Sequence, residues 1–307
     1  LPMTPEWMIG IDLGGTKTEV VLLDPDSNEH FRLRSPTPCH DYPGTLNTIV
    51  GLVNQAERHV GRYGLPVGVG IPGSVSRLTG RVKNGNSTWL NGQPMAEDLA
   101  RLLERPVTLS NDANCLALSE ATDGAGAGHP VVFAAILGTG CGAGISVNAQ
   151  PMSGPNGVAG EWGHNPLPWT PDQELNARPC FCGRNGCNET FLSGPGMART
   201  HRLMWGETTT THLIVAAANE GEQRALATLQ TYLDQLARGL AGVINVVDPD
   251  IVVLGGGISN VAAIYQALPE LLPRYVFGGE CDTPVVRAAH GDSSGVRGAA
   301  WLGGARL

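Results

Sequence analysis

A glycine-rich turn near the start of the chain gathers several groups that bind phosphates and metal ions. Gly14-Gly15-Thr16-Lys17 follows an apolar segment that ends beside Asp12. A carboxylate, bare backbone N–H groups, a hydroxyl and an ammonium therefore meet at one turn, and such groups hold Mg²⁺ and phosphate oxygens. A Gly-Gly pair alone also suits a plain hairpin turn. These residues by themselves leave phosphate binding and a purely structural turn open.

A second segment resembles the first and differs from it at one informative position. Val131–Val147 again has the pattern of an apolar strand, a Gly/Thr turn and a second strand, but it carries Ile136 where the first segment carries Asp12. A purely structural turn would not need an acid in one copy and an aliphatic residue in the other. We therefore predict that Asp12 serves a metal ion and that the chain contains two related lobes.

The turn of the second segment has a sequence that also occurs in dinucleotide-binding proteins. Gly138-Thr139-Gly140-Cys141-Gly142-Ala143 satisfies the fingerprint with Ala in the last place. That fingerprint must open a helix, whereas residues 144–148 return to strand alternation, which excludes a Rossmann dehydrogenase. No Walker A sequence is present, since Lys17 follows Thr16 rather than glycine. The two hairpins and the Gly255-Gly256-Gly257 turn instead predict a nucleotide held in a cleft between lobes.

Asn111-Asp112 ends one predicted strand and precedes a predicted helix over residues 113–120. The simplest interpretation makes Asp112 the N-cap of that helix. A catalytic interpretation is compatible with it, because a helix N-terminus stabilises a carboxylate and keeps it ionised, ready to accept a proton from a substrate hydroxyl. The residues alone leave both interpretations open.

Four side chains in an irregular segment suit a zinc ion. His164, Cys180, Cys182 and Cys187 supply one imidazole and three thiolates, a tetrahedral ligand set. Ordinary reduced cysteines and a surface histidine are the alternative. Zinc is favoured because residues 151–188 are rich in Pro, Gly and Cys, show little periodicity and therefore need a cross-link. Four protein ligands leave no open position for water, so the ion is predicted to be structural.

Two glutamates flank these four ligands. Glu161 lies three residues before His164, and Glu189 lies two residues after Cys187. A metal that fixes both loops would also fix both carboxylates, which accept hydrogen bonds from vicinal hydroxyls, so the pair suits a polyol. Solvation at the surface is the common alternative for either glutamate alone.

The apolar pattern places these motifs on a mixture of helices and strands. Residues 44–61 carry helical spacing, whereas residues 66–71 and 107–109 are predicted to be short buried strands. A long amphipathic helix is predicted over residues 226–247 and is ended by Asp248-Pro249. The predicted fold class is therefore α/β.

Length and composition limit the class of protein. The chain has 307 residues, of which 42% are hydrophobic and 16% charged, as in soluble proteins of two domains. A formal charge of -8 and the lack of any basic run argue against nucleic-acid binding. No stretch stays apolar for the roughly 18 residues of a membrane span. Seven cysteines, an odd number, suit a reduced compartment, so we expect a cytoplasmic protein.

Taken together, the motifs resemble those of the ROK family. They are Ile11–Lys17, Asn111-Asp112, Gly138–Gly144, Glu161–His164, Cys180–Glu189 and Val253–Gly257, and they follow the family's order over nearly the whole chain. The resemblance implies the duplicated actin-like ATPase fold of hexokinase and Hsp70, whose two lobes close over ATP–Mg²⁺ and a sugar. We expect one lobe over residues 1–115 and another over 116–307, with a zinc-binding insertion at 151–190 and the C-terminal segment packed back on the first lobe.

The resemblance also implies individual roles. Asp112 would be the general base. The sugar would be bound by Asn86, Asn111, Asp112, Glu161, His164 and Glu189. ATP would be bound by Asp12, Gly14, Gly15, Thr16, Lys17, Gly138, Thr139, Gly140, Gly142, Gly256 and Gly257. A structural zinc ion would be held by His164, Cys180, Cys182 and Cys187, so that His164 has two roles. The implied cofactors are ATP, Mg²⁺ and structural Zn²⁺, and the implied assembly is a homodimer.

Within the family, residues 84–92, 161–168 and 291–300 are most similar to the bacterial fructokinase and mannokinase type. This implies phosphoryl transfer to the 6-hydroxyl of fructose, with mannose and glucose as further acceptors. The alternative is a ROK sugar-sensing regulator or binding protein without catalysis. A DNA-binding regulator would need a winged helix-turn-helix before the first hairpin, which here begins at Trp7, and a silent binding module would be expected to lack the acid at Asp112.

Overall fold

The computed structural model describes residues 7–291 and 294–304. Its strands are β1 (Met8–Leu13), β2 (Lys17–Leu23), β3 (Glu29–Pro36), β4 (Val67–Ile71), β5 (Ser74–Val75), β6 (Val82–Lys83), β7 (Val107–Asn111), β8 (Val131–Leu137), β9 (Cys141–Val147), β10 (Gln150–Pro151), β11 (Ile251–Gly255) and β12 (Val285–Arg287). Its helices are α1 (Tyr42–Val60), α2 (Met95–Leu103), α3 (Asp112–Thr122), α4 (Asp172–Asn176), α5 (Glu189–Leu192), α6 (Gly194–Trp205), α7 (Thr211–Asn219), α8 (Gln223–Val247), α9 (Ala262–Leu271) and α10 (Ser294–Gly304). No helix in these ranges combines the length and the apolar character needed to cross a bilayer.

The two large sheets have the same topology. The first has the strand order β3-β2-β1-β4-β7, in which β3, β2 and β1 are antiparallel and β1, β4 and β7 are parallel. The second has the order β10-β9-β8-β11-β12, and β8, β11 and β12 are again parallel. In both sheets the order is third, second, first, fourth and fifth strand along the chain. The predicted duplication and the actin-like α/β fold are confirmed.

The chain forms two compact units. The first comprises Leu1–Gly128, Gly144–Ala159 and Ala289–Leu307, and the second comprises His129–Ala143 and Gly160–Ala288. A boundary between residues 115 and 116 falls inside α3, whereas the structure keeps the whole helix in the first unit. The physical reason is a close helix crossing, because a Cβ at Gly298 of α10 would overlap the carbonyl oxygen of Cys115 in α3.

In the first unit, strand β1 shows the two-residue alternation of a sheet covered on both faces. Ile9 and Ile11 belong to the core that includes α1 and α2, whereas Met8 packs with Val296 of α10. Gly10, between Ile9 and Ile11 in sequence, faces α10, and a Cβ there would overlap the Val296 carbonyl oxygen. The glycine therefore allows α10 to lie directly on the sheet.

Helix ends follow the signals in the sequence. The carboxylate of Asp41 accepts a hydrogen bond from Gly44 N–H at the start of α1, and Gly61 ends this helix with φ 66°. Helix α8 covers the predicted amphipathic segment and ends at Asp248, whose φ is 46°, directly before Pro249. Both predicted helices are confirmed.

A buried carboxylate ties α3 to α10. Glu120 has no exposed surface and accepts hydrogen bonds from Ala125 N–H at 2.8 Å, Ala289 N–H at 2.9 Å and Ser294 Oγ at 2.7 Å. Close by, just after the end of α3, Asp123 Oδ1 lies 2.9 Å from His290 Nε2. The charge of Glu120 is thus satisfied by hydrogen bonds that include donors from the segment that begins α10.

Candidate functional site

The first glycine-rich turn joins β1 to β2 and is held from behind. Gly14 N–H donates to the carbonyl of Lys17 at 2.9 Å, and the Thr37 hydroxyl donates to the carbonyl of Gly14 at 2.9 Å. In the described part of the chain, the N–H groups of Gly15 and Thr16 have no acceptor within hydrogen-bonding distance. Because its carbonyl groups already accept hydrogen bonds and two of its N–H groups have no acceptor, the turn has the arrangement that binds an anion.

Asp12 lies on β1 two residues before this turn and shares its surroundings with a second carboxylate. Its register partners are Gly70 on β4 and Glu19 on β2. Burial raises the pKa of Asp12 to about 6, and the nearby charge of Asp112 contributes in the same direction. The Cys115 thiol faces the same two carboxylates and is buried, which also raises its pKa. A cation would stabilise these neighbouring negative charges.

The N-cap of α3 is Asn111 rather than Asp112. The Asn111 Oδ1 accepts hydrogen bonds from Ala113 N–H at 2.8 Å and Asn114 N–H at 3.3 Å, while its Nδ2 donates to the carbonyl of Gly73 at 3.2 Å. Asp112 is the first helical residue, and its Oδ1 accepts a hydrogen bond from Ala113 N–H at 2.8 Å. The capping interpretation of Asp112 is therefore wrong, and both ends of the Asn111 amide have partners inside the first unit.

Asn86 lies in an exposed position on the segment between β6 and the following 3₁₀ turn. The next residue, Ser87, lies beside the first glycine-rich turn, since its Oγ would be 3.4 Å from a Cβ added at Gly15. The Asn91 side chain fixes the segment by bonding both the N–H and the carbonyl of Gly85. The first unit thus brings together Asp12, the Gly14–Lys17 turn, Asn111, Asp112 and the Asn86 segment.

The second glycine-rich turn joins β8 to β9. Gly138 N–H donates to the carbonyl of Gly140 at 3.0 Å, and Gly194 N–H donates to the carbonyl of Gly138 at 2.7 Å. Within the described ranges the N–H groups of Thr139 and Gly140 have no acceptor. Glu189 accepts from Cys141 N–H at 2.9 Å. The turn therefore has the same open amides as the first one, and Gly142, also predicted to bind ATP, lies just beyond it in β9.

A cavity of about 780 Å³ in the second unit opens at this turn. It is lined by Gly138, Thr139, Gly194, Pro195, Ala198, Thr209, Thr210, Thr211, His212, Val215, Gly257, Ile258, Asn260 and Val261. The neighbouring Gly256 has φ 81°, and a Cβ there would lie 2.5 Å from the Leu137 carbonyl oxygen. The sequence analysis identified both glycine turns but missed the residues of α6 and α7. A signal was present in Ser193-Gly194-Pro195, which has the pattern of a helix N-cap followed by proline.

The predicted zinc ligands lie together. Cys180 Sγ is 3.6 Å from His164 Nδ1, and Cys182 Sγ is 3.6 Å from Cys187 Sγ. All four ligand atoms are within 4.8 Å of one another. A tetrahedral ion with metal–sulfur distances of about 2.3 Å separates its sulfur ligands by about 3.8 Å. The donor set and its spacing therefore fit a zinc ion.

Glu161 directly precedes a 3₁₀ turn, Trp162–His164, that ends with His164 and packs on the second hairpin. Gly163 makes this packing possible, because a Cβ there would overlap the carbonyl oxygen of Cys141. Glu189 contacts the same hairpin through the hydrogen bond to Cys141 N–H. The second unit therefore attaches both predicted sugar-binding glutamates to one strand end.

Asn188 is a residue that sequence reasoning missed. Its side chain is 3% exposed, and its Nδ2 donates to the carbonyl of Trp162 at 2.8 Å. Its backbone N–H donates to the carbonyl of Asn165 at 2.8 Å. Asn188 therefore bonds both ends of the turn that carries His164, and it is adjacent in sequence to Glu189. Its only sequence signal is a polar residue between a cysteine ligand and a buried helix.

Comparison with known proteins matches this arrangement to one family. The ROK family model matches residues 8–305. An N-acetyl-D-glucosamine kinase of Yersinia pseudotuberculosis is 40% identical over 297 residues, which are 95% of this chain and 97% of the relative. The ROK hexokinase from Thermus thermophilus has a TM-score of 0.85 and 29% identity, covering 96% of this chain and 97% of that chain. A ROK family glucokinase from Streptomyces griseus, solved with glucose and AMPPNP, has a TM-score of 0.77 and 28% identity, covering 96% and 98%. The chain belongs to the ROK family of sugar kinases.

Proposed function

We propose that this ROK family sugar kinase transfers the γ-phosphoryl group of ATP to the 6-hydroxyl of a hexose, with Asp112 as the general base. One observation carries the proposal: the first unit places Asp112 and Asp12 close together beside a turn whose Gly15 and Thr16 amides are open. A paired set of carboxylates beside an anion-binding turn suits phosphoryl transfer to a hydroxyl, in which one acid accepts a proton and the other serves a cation.

In this mechanism the Asp112 carboxylate accepts the proton of the attacking hydroxyl. It lies at the first turn of α3, the end of the helix that carries partial positive charge. Asp12, with a pKa of about 6, is mostly ionised at neutral pH and would hold Mg²⁺. The ion, when bound, neutralises charge on the phosphates. Because the transition state is loose, most of the rate enhancement comes from positioning by the two glycine turns.

The nucleotide is assigned to the second-unit cavity. Its volume of about 780 Å³ lies within the range of small-molecule sites, and its walls are mostly small and apolar side chains. Gly256 and Gly257 would lie near the adenosine, and the open amides of Thr139 and Gly140 would bind phosphate oxygens.

The acceptor sugar is assigned to Glu161, His164 and Glu189, with Asn86, Asn111 and Asp112 in the first unit. N-Acetylglucosamine is our first candidate acceptor, because the Yersinia N-acetyl-D-glucosamine kinase is 40% identical over 297 residues. Fructose is the second candidate, implied by the resemblance of residues 84–92 and 161–168 to the fructokinase and mannokinase type. The two differ at C1 and C2: fructose is a ketose with its anomeric carbon at C2, whereas N-acetylglucosamine is an aldose whose C2 acetamido group needs both space and hydrogen-bonding partners.

A panel of hexoses tests the function directly. ADP release would be measured with ATP and Mg²⁺ against fructose, mannose, glucose and N-acetylglucosamine, and the product position would be read by NMR. We expect transfer to the 6-hydroxyl and a kcat/KM preference for N-acetylglucosamine. A preference for fructose would replace the first candidate by the second, whereas sugar binding without ADP release would leave only a sugar-binding protein.

We also propose that His164, Cys180, Cys182 and Cys187 hold one structural zinc ion, supported by the 3.6 Å ligand spacings. Cys182→Ser should lose the metal and raise KM for the sugar, because His164 is both ligand and sugar contact. Cys281→Ser, which changes a cysteine outside this set, is the matched control. Purified protein that contains no zinc and keeps full activity in chelator would contradict the assignment. We further propose that the protein is a cytoplasmic homodimer, and light scattering tests the dimer.

A further inference from the structure

A second, smaller cavity adjoins the proposed nucleotide cavity in the second unit. Its volume is about 180 Å³, and its polar walls include Thr139, Glu189, Thr190 and Arg199. Thr139 and Pro195 line both cavities, so the two spaces meet where α6 begins. Neither the hydroxyl contacts proposed for the sugar nor the adenosine contacts account for Arg199.

Arg199 is a cation without an anionic partner in the described ranges. It lies one turn after Pro195 on α6, and its only hydrogen bond there is a long one, 3.5 Å from Nη1 to the carbonyl of Pro179. No ion pair of the described residues includes it, whereas Arg224 and Arg238 each pair with an acid. Its guanidinium is therefore available to a ligand in the cavity.

A second guanidinium lies close to the first. Arg178 is buried and donates to the Thr190 carbonyl at 2.8 Å and to the Thr200 hydroxyl at 2.9 Å. Arg178 Nη2 also lies 3.7 Å from Oε1 of Glu174, so this guanidinium has an anionic partner, whereas that of Arg199 has none among the described residues.

We propose that the small cavity is a phosphate subsite in which Arg199 binds a terminal phosphoryl group. The Thr139 side chain and the first turn of α6 lie in the same wall and suit phosphate oxygens. Glu189 also lines the cavity, and its carboxylate repels free phosphate ions but accepts hydrogen bonds from hydroxyl groups. A phosphoryl group attached to a molecule with hydroxyl groups is therefore favoured. The phosphoryl group belongs either to the nucleotide or to the phosphorylated sugar. This inference rests on the proposed kinase function for its biological meaning.

The test compares Arg199→Met with Arg199→Lys and with Arg202→Met. Arg202 is exposed on the same helix and does not line the cavity, so its change removes the same charge without touching the subsite. Inhibition constants for ADP and for the 6-phosphate of the preferred hexose, together with KM for ATP, would be measured for each variant. Calorimetry with a non-hydrolysable ATP analogue, with ADP and with the same hexose 6-phosphate would be run in parallel, and thermal unfolding would establish that each variant is folded.

Loss of a charge-assisted hydrogen bond weakens binding by about 10- to 100-fold. If the phosphoryl group belongs to the nucleotide, Arg199→Met raises KM for ATP by this factor, and the ADP constant rises with it only if the bound group is the β-phosphate. If it belongs to the sugar phosphate, only the hexose 6-phosphate constant rises. In both cases Arg199→Lys retains part of the affinity. Changes below twofold in all constants, or equal changes in Arg202→Met, would overturn the subsite. Absence of kinase activity would instead remove the proposed function, while the calorimetric comparison would still decide the subsite.

Discussion

At the scale of single residues, two neighbouring positions divide two tasks that the sequence analysis assigned to one. Asn111 caps α3 through its side-chain oxygen, so the helix does not depend on Asp112 for its cap. Asp112 keeps a carboxylate at the positive end of that helix, close to Asp12. Because the cap and the acid are separate residues, substitutions can separate stability from catalysis.

Asp112→Asn should lower kcat by about 10²- to 10⁴-fold, the usual effect of removing a general base. KM for the sugar should change much less, because the size and much of the hydrogen bonding are retained. The free energy of unfolding should change by less than about 0.5 kcal/mol, since the cap remains. Asn111→Ala is the comparison, with an expected loss of about 1 kcal/mol of stability. A folded Asp112→Asn protein with unchanged kcat would rule out Asp112 as the base.

Asn188 allows a similar separation in the second unit. Asn188→Leu keeps the branched shape of the side chain but leaves the buried Trp162 carbonyl without its hydrogen bond, at a cost of about 1–3 kcal/mol. The turn that carries His164 should also shift, so KM for the sugar should rise by about tenfold or more while KM for ATP stays constant. Asn176→Leu makes the same change at an exposed residue and should alter neither. Equal increases in both KM values would show that Asn188 acts only on overall stability.

At the scale of secondary-structure elements, the crossing of α3 and α10 is a tight backbone contact. Gly298→Ala would push a methyl group into the Cys115 carbonyl and should destabilise the protein by about 1–3 kcal/mol or more. At Gly51 in α1 an added methyl group would meet no atom within 4 Å, so Gly51→Ala should stabilise the protein by up to about 1 kcal/mol. Urea unfolding of the two variants checks the opposite signs, and a shift in the same direction would contradict the packing.

Two residues beside these helices, Asp123 after α3 and His290 before α10, make stability depend on pH. The hydrogen bond to Asp123 raises the pKa of His290 against the opposing effect of burial. Burial raises the pKa of Asp123, but hydrogen bonds from His290 and Arg297 outweigh this effect and lower the pKa to about 2. The stability that His290 contributes is complete below about pH 6.5 and is lost as the pH rises through its raised pKa. The stability that Asp123 contributes is complete above about pH 4 and is lost as the pH falls towards 2.

This pair should therefore stabilise the first unit most between about pH 4 and pH 6.5. Between about pH 6 and pH 8.5 the unfolding temperature of the wild-type protein should fall more than that of His290→Gln, which lacks the titrating group. His212→Gln, at an exposed histidine with no ion pair in the described ranges, should follow the wild-type curve. Parallel curves for all three proteins would show that His290 contributes no pH-dependent stability.

At the scale of the whole molecule, a duplicated scaffold carries unequal chemistry. Both sheets have the same strand order and both first hairpins have open amides at their turns. The first copy adds the acid at Asp12, whereas Ile136 occupies the equivalent position of the second copy and pairs with Gly255 of β11. The second copy instead carries the large cavity and the Cys/His cluster.

The duplication, the hairpins and the long helix could be predicted because each is a local pattern. Glycine turns, strand alternation and the three- and four-residue steps of residues 226–247 depend on neighbours in sequence. The zinc ligands could be grouped for the same reason, since three of them lie within eight residues. The family resemblance added roles such as that of Asp112, which local patterns left undecided between cap and base.

What could not be predicted depends on contacts between distant segments. Glu120 has no local signal, because its donors at Ala289 and Ser294 come from almost the other end of the chain. The placement of α3 in the first unit follows from the same packing. Arg199 and the residues around Thr210 line their cavities only because α6 and α7 fold beside the second hairpin.

The position of α10 has a consequence for biosynthesis. The core of the first unit is covered on one face by a helix that the ribosome makes after nearly all of the second unit. Until residues 294–304 leave the exit tunnel, the α10 face of β1 stays uncovered and the Glu120 carboxylate lacks its distal partners. The second unit should therefore become protease-resistant during translation before the first. Nascent chains that end at residue 288 and are stalled through a C-terminal linker long enough to span the exit tunnel should show a protected second unit and a digestible first unit, reversing the order in which the ribosome begins them.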